Sequence, residues 1–451
     1  MRTHVIGVAV AVAALLAGSV ANAERSALDA LLARTDKVAR EVAKIRGLPL
    51  KRPIPNEVVD KDELRTRLLA MAAEDKTAAE TAAEGIALAR WGMIPRSTDY
   101  KALLVDLLTE QIAGYYDPDT KKLTISRSAG DDPAWAEMVL AHEIDHGLQD
   151  QSFDLKKFED LPPTEGDAAA ARRALVEGDG IALMIEVMLA RTGNGAPWSN
   201  PEVADSIEKA MTVPGNGDGL DKAPLAIRES MIFPYRSGLS FVAALRRRQP
   251  WSAVDAAYRK PPKSTEHILH PERYLAGDDP VPVAITQPSA LRGFQLAHST
   301  VWGELGWSLF LRTHGVDDHT AAMAAAGWGG DRAITYTRAD DPRPDRGAGI
   351  SRSEWDSEAD ALEAFEATEK ALDHAIAGAT IDHAGTRTRW MALDGTVSWI
   401  DRKGPSLVVV IGAPAWAAEA LAAEVWTASS IVAPPPRTKP TKQRKTPKQT
   451  P

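Results

Sequence analysis

The chain has 451 residues, a formal net charge of −9 at pH 7 and no cysteine. That length exceeds one ordinary domain and fits two or three. The missing thiols exclude disulfides and a lipid anchor on Cys, and the acidic balance argues against a nucleic-acid partner.

Residues 1–23 read as a secretory signal, with Arg2 at the charged end, an apolar run from Val5 to Leu16, and Ala21-Asn22-Ala23 as the small-residue cleavage site. That run is too short to span a bilayer and no later segment is long and apolar enough. The expectation is an exported protein, periplasmic or extracellular, without a transmembrane segment. From Glu24 to about Ile94 the sequence is rich in Ala, Leu and charge at helical spacing, interrupted at Leu48-Pro49-Leu50-Lys51-Arg52-Pro53-Ile54-Pro55. Leu103, Leu104, Leu107 and Leu108 mark a helix around Asp99–Gly114. Tyr115-Tyr116-Asp117-Pro118-Asp119 then turns into a strand, Lys122–Arg127. The Asp117-Pro118-Asp119 turn lacks the EF-hand spacing that calcium would need, so it reads as a plain turn.

Asp132-Pro133 is a helix start, with Asp as N-cap and Pro in the first turn. Met138, Val139 and Leu140 lead into His142-Glu143-Ile144-Asp145-His146, the one HExxH run in the chain, and Leu148 follows it. Residues four apart share a helix face, so His142 and His146 reach one ion. Zn2+ suits two imidazoles plus a carboxylate with a fourth position open, and Glu143 then stands as general base. Asp145 is unusual before the second His. An anion there either supports a ligand from behind or perturbs its protonation.

A third ligand is needed. Glu177, in Ala174-Leu175-Val176-Glu177-Gly178-Asp179-Gly180, lies within a long apolar helix from about Asp167 to Arg191. A Glu there is costly to bury unless it is paired or holds a metal. Pairing with Arg172 or Arg173 is the bland alternative, and Glu165 is the rival ligand. Further on come a Gly-rich loop at 215–219 and a helical stretch from Pro224, broken at Phe233-Pro234-Tyr235. His267 and His270 sit three apart in Ser264–Glu272. His298, His314, His319, His374 and His383 have no motif around them and read as structural.

Near Gly327–Arg332 the character changes. Ala333–Thr337, Gly349–Trp355, Thr386–Leu393, Val397–Asp401 and Ser406–Ile411 read as strands, and Glu358–Leu372 and Ala415–Trp426 as helices. This β-β-α-β-β-β-α order suggests a small α+β domain at 326–432 packed on a first domain at 24–325, whose start, 24–94, is helical. Trp302, Trp307, Trp328 and Trp355 read as core. Residues 433–451, basic and Pro-rich, form a disordered tail suited to an anionic envelope surface, though simple solvation explains it as well.

His142–His146 followed by a helical Glu-Gly resembles the gluzincin group of zinc metallopeptidases. The wider chain resembles an uncharacterised family of secreted bacterial zincin-like proteins. The matching segments are Glu110–Pro118, Gly147–Gln151, Ala174–Asp179, Ser264–Glu272 and Gly327–Arg332. The resemblance implies an α+β, predominantly helical zincin-like domain with His142, His146 and Glu177 as metal ligands and Glu143 as base. It also implies an edge strand above the site helix that pairs with substrate, a place Leu123-Thr124-Ile125 would fit. A His or Tyr that steadies the oxyanion is expected too, from among His267, His270, Tyr258 and Tyr235. Two functions fit: an exported zinc peptidase acting on protein or peptide, or a catalytically silent envelope protein that uses the scaffold for binding. Glu143 favours the first, because a structural zinc needs no base.

Overall fold

The computed structural model describes residues 6–7, 28, 30–211, 218–247, 249–341 and 343–432. The expected signal and tail lie outside the described residues, except for Ile6-Gly7, which pair antiparallel with Tyr116-Tyr115. Part of the loop at 215–219 lies outside them too. The fold is mixed α+β, with most of the helix in the first half and a large antiparallel sheet in the second.

Helix α1 (Thr35–Arg46) ends on Gly47 in the left-handed conformation and is followed by the Pro-rich break. Strand β1 (Asn56–Val59) then precedes α2 (Lys61–Ala73), α3 (Asp75–Arg90) and α4 (Tyr100–Gln111). Asp99 caps α4 by accepting from the Ala102 amide, as such a residue should. Strands β2 (Gly114–Asp117) and β3 (Lys122–Ser126) form an antiparallel hairpin, and Asp117 closes its turn by accepting from the Asp119 amide and the Thr120 hydroxyl. β3 pairs with β1 in parallel on its other side. The expectation that Leu123-Thr124-Ile125 forms a free substrate-binding edge is therefore corrected: both backbone sides of that strand are already paired.

The long helices α5 (Pro133–Phe153), α6 (Gly166–Arg191) and α7 (Leu225–Arg246) form the centre of the first half. Asp132 caps α5 through the Ala134 and Trp135 amides. Residues 139–150 of α5 are all buried, on every face of the helix, so this is a central helix rather than an amphipathic surface one. Val139, Leu140, Ile144 and Leu148 are fully buried there with Leu175, Ile181 and Leu183 of α6 and Phe241 of α7. Each such side chain contributes about 1.5–3 kcal/mol. Helices α6 and α7 touch backbone to backbone: a Cβ on Gly178 would lie 2.2 Å from the Gly238 carbonyl, and one on Gly238 would lie 2.1 Å from the Ala174 oxygen. The expected break at Phe233-Pro234-Tyr235 does not occur. α7 runs through Pro234, which costs the one bond its nitrogen cannot donate, and tertiary packing outweighs that loss.

After α8 (Ser252–Arg259) and the short α9 (Thr265–Leu269), the second half is built on seven strands. β4 (Val283–Ile285) pairs apart with β12 (Ser429–Ile431). The main sheet has β5 (Phe294–Thr300), β6 (Trp328–Arg338), β7 (Ala348–Trp355), β8 (Thr380–Ala384), β9 (Arg387–Met391), β10 (Thr396–Lys403) and β11 (Ser406–Pro414), in the order 5-6-7-11-10-9-8, antiparallel throughout. β5 and β8 are absent from the sequence-based order, and β5 carries the sheet back across residue 326.

The period of two decides which helix each face meets. Leu407, Val409 and Ile411 pack under α11 (Glu358–Ala375), where Ala361, Ala364 and Phe365 are buried. Val408 and Val410 face α12 (Ala415–Ala428) through Ala417, Leu421 and Val425. The α11 side also buries Trp307 and Phe310 of α10 (Gly303–Thr313) and Trp91 and Met93 from beyond α3, so the two halves share a core. No helix among the described residues is long and apolar enough to cross a membrane.

Candidate metal centre

One turn of α5 carries His142 and His146 on the face toward α6, and Glu177 meets them there. The His142 and His146 Nε2 atoms are 2.9 Å apart, and Glu177 Oε2 is 3.3 Å from the first and 3.5 Å from the second. All three side chains are buried. Tetrahedral zinc bonds of 2.0–2.1 Å set ligand atoms about 3.3 Å apart, so the spacing suits that ion. Among the described residues this trio is the group of His and acidic side chains able to hold a metal. The bland partner for Glu177 is excluded: Arg172 bonds the Phe158 carbonyl and Arg173 lies by Glu159. The rival Glu165 pairs with Arg332.

The electrostatics of the trio also favour a cation. Burial pushes the Glu177 carboxyl up, but hydrogen bonds from both imidazoles overcome it and hold the group down at about 2. Burial likewise opposes a charged His146, yet Glu177 raises that imidazole to about 10, while burial and His146 push His142 down. The buried carboxylate thus keeps one positive charge beside it, and an ion held by neutral imidazoles supplies that charge equally well.

The imidazole ring of His146 is fixed from behind. Gln149, three residues after His146, accepts from its Nδ1 at 2.9 Å, which aims Nε2 at Glu177. The Gln149 amide nitrogen donates in turn to Asp145 Oδ2 at 2.8 Å and to the Val176 carbonyl at 3.2 Å. Asp145 is therefore a support reached through Gln149. Burial and then the nearby Asp179 carboxylate push the Asp145 carboxyl well above its ordinary value. Asp179 is clamped by Arg46 through two contacts, of 2.7 and 2.8 Å, and Arg46 also reaches Asp255 at 2.8 Å. Behind His142 stands Gly180, where a Cβ would come within 2.8 Å of Nδ1. Glycine at 180 leaves room for the ring, and glycine at 178 lets α7 approach.

Glu143 is fully buried on the same turn as the histidines. The other sequence candidates are not brought to the trio. Tyr258 donates its hydroxyl to Asp179 at 3.0 Å and stacks on Phe153. His267 accepts from the Lys263 amide and donates to the Asp278 carbonyl, a packing role that engages both ring nitrogens. His270 bonds Glu304 at 3.0 Å. Tyr235 is the exception, for it lines a cleft of about 470 Å3 that Glu177 also lines. His298 and Trp302, read as structural and core, line that cleft as well, whereas His314 bonds the Trp91 carbonyl.

A family described as a domain of unknown function, DUF8575, matches residues 292–422. No curated protein and no solved structure matches the chain. The matched stretch covers less than a third of the chain and contains none of the trio. It does supply Trp302, Ala333 and Thr335 to the cleft. Gln149, Asp179 and Arg46 escaped the sequence reading. Gln149 had a signal, since it falls three residues after His146 and four after Asp145 on one helix; Arg46 had none.

Proposed function

We propose that this chain is an exported, zinc-dependent metallopeptidase on a zincin-like domain. The observation that carries the reading is the trio itself: three ligand atoms of His142, His146 and Glu177 lie buried within 3.5 Å of one another, and Glu177 also lines a cleft. Zinc bound there supplies Lewis acidity, which polarises a peptide carbonyl and acidifies water. Glu143 takes the proton of the attacking water on a carboxylate oxygen and returns it to the departing amine. Gln149 holds the tautomer of His146, and Arg46 with Asp179 keeps α1, α6 and α8 in register behind it. Tyr235 is the residue best suited to donate to the developing oxyanion, because of the four candidates it lines the cleft with Glu177. Export rests on the signal-like residues 1–23.

The deciding experiment measures zinc in the purified protein beside His146→Ala, Glu177→Ala and Glu143→Ala. About one zinc per chain is expected, lost in the first two variants. Glu143→Ala should keep the metal and lose peptide hydrolysis. Hydrolysis that persists in Glu143→Ala removes the mechanism. A wild-type chain that takes up no zinc leaves the binding-protein reading in its place.

A further inference from the structure

The cleft is built where four apolar clusters meet without closing. Each leaves fringe side chains half-exposed at its walls: Leu88 and Trp302 from the cluster under the large sheet, Leu104 and Met231 from the one beside α4, Leu108 from that between α2 and α4, and Leu305 from the central one. Its floor is one face of α6. Gly166, Ala169, Ala170, Arg173 and Glu177 follow at helical spacing; Gly166 lies under the Thr300 hydroxyl, while Ala169 and Ala170 offer the cleft only methyl groups. Eleven residues of helix separate Gly166 from Glu177, about 16 Å at 1.5 Å per residue. An extended chain covers that length with about five residues at 3.3 Å each. The charge is one-sided: Glu80, Glu84 and Glu159 line the cleft against Arg173, which lies 3.9 Å from Glu159.

We propose that this cleft takes an extended peptide segment of about five residues, with bulky apolar side chains and a flanking lysine or arginine. Its cleavage rests on the peptidase reading above, but its binding does not. The apolar fringe gives affinity by burial, and the acidic wall selects cationic over anionic sequences. A straight acyl chain would use the fringe but not the carboxylates.

The test uses the full chain stripped of metal, so that binding is read without catalysis. The probes are a fluorescein-labelled peptide with a Leu/Phe core and Arg flanks, the same peptide with Glu flanks, and a dansyl-labelled fatty amide. The Arg-flanked peptide should bind best. Ala170→Trp, which fills the floor, should weaken it by about tenfold or more, equal to about 1.4 kcal/mol. Glu80→Lys with Glu84→Lys, which leaves the floor untouched and guards against a misfolded Trp variant, should reverse the preference toward Glu flanks. Zinc content should stay unchanged in both variants. Peptide binding insensitive to both variants overturns the proposal, as does a fatty amide that binds more tightly than either peptide. Sensitive binding with no hydrolysis by the zinc-loaded chain upholds the cleft and sinks the peptidase reading; hydrolysis insensitive to both variants does the reverse.

Discussion

Gly180→Ala separates the metal site from the fold around it. The position is inside α6, and there alanine is intrinsically better than glycine by about 0.8–1 kcal/mol. Its Cβ, however, would stand 2.7 Å from His142 Cε1 and 2.8 Å from Nδ1. Restoring an ordinary contact of 3.4 Å requires the ring to retreat by ~0.7 Å. The ring is not free to do so in place, because its Nε2 already lies 2.9 Å from His146 and 3.3 Å from Glu177. Metal–ligand distances tolerate about ±0.2 Å, so the displacement is several times too large for an unstrained site.

Zinc affinity should fall roughly 10- to 100-fold, or about 1.4–2.7 kcal/mol. Competition against a chromophoric chelator measures it. Thermal unfolding of the metal-free and zinc-loaded protein gives the second readout: the variant should lose much of the stabilisation that zinc adds. Gly195→Ala, with nothing within 4 Å of its added Cβ, is the control and should change neither. Wild-type zinc affinity in Gly180→Ala would refute the claim that His142 is a ligand in the orientation described.

Four further outcomes follow from the same contacts. Gln149→Leu removes the acceptor at His146 Nδ1 and should lower zinc affinity about 10- to 100-fold, measured by the same competition; an unchanged affinity would mean that the tautomer is set elsewhere. Arg46→Met leaves Asp179 buried without its guanidinium and should cost about 3–5 kcal/mol in urea unfolding, part of which Asp179→Asn should recover in the double variant. Gly238→Ala drives a Cβ to 2.1 Å from the Ala174 oxygen and should cost about 3 kcal/mol, read as a lower urea midpoint with an unchanged slope. Burial, then the charges of Glu304, Asp356 and Asp278, push Glu266 up to about 8 against the pull of Arg273. Its folded value exceeds its unfolded one, so its stabilisation is full below the unfolded pKa of 4.5 and is lost as pH rises through about 8. Thermal midpoints should therefore fall as pH rises from about 4.5 to about 8 and level off above that, and Glu266→Gln should flatten the fall.

The trio was legible because its parts are local rules. Spacing of four puts His142 and His146 on one face, and a lone Glu in the apolar run of α6 has to be matched by something buried. Asp132 announced its helix by the capping rule, and it accepts the Ala134 and Trp135 amides expected of it. What stayed hidden is set by contacts far apart in sequence. Arg46 reaches Asp179 across 133 residues, and no local pattern marks that. The Pro234 break failed because the Gly178–Gly238 approach, one turn beyond the proline, holds α7 against α6. Strand β8 was missed because all five of its residues are exposed, which leaves no burial alternation for a sequence to carry. His267 and His270 had the right residue types at an attractive spacing, but spacing says nothing about where a short helix points its ring nitrogens.

The stretch that matches a family of unknown function bears on the site through the cleft wall. Asp331 in β6 accepts from the Trp302 and Gly303 amides and from the Trp328 indole, which fixes the first turn of α10 and therefore Trp302. Arg332 next to it reaches Thr164 and Glu165, and the Val301 amide donates to the Thr164 carbonyl, tying the same wall to the start of α6. Trp91 donates to Thr335 at 3.2 Å and packs edge-on to Trp302 with ring centroids 4.6 Å apart. The floor of the cleft thus begins at the residues that the sheet holds, and it ends at Glu177. Glu177 of the trio and a β-sheet on opposite halves of the chain are joined by one helix face, so a change in the sheet should alter what reaches the trio without altering the trio itself.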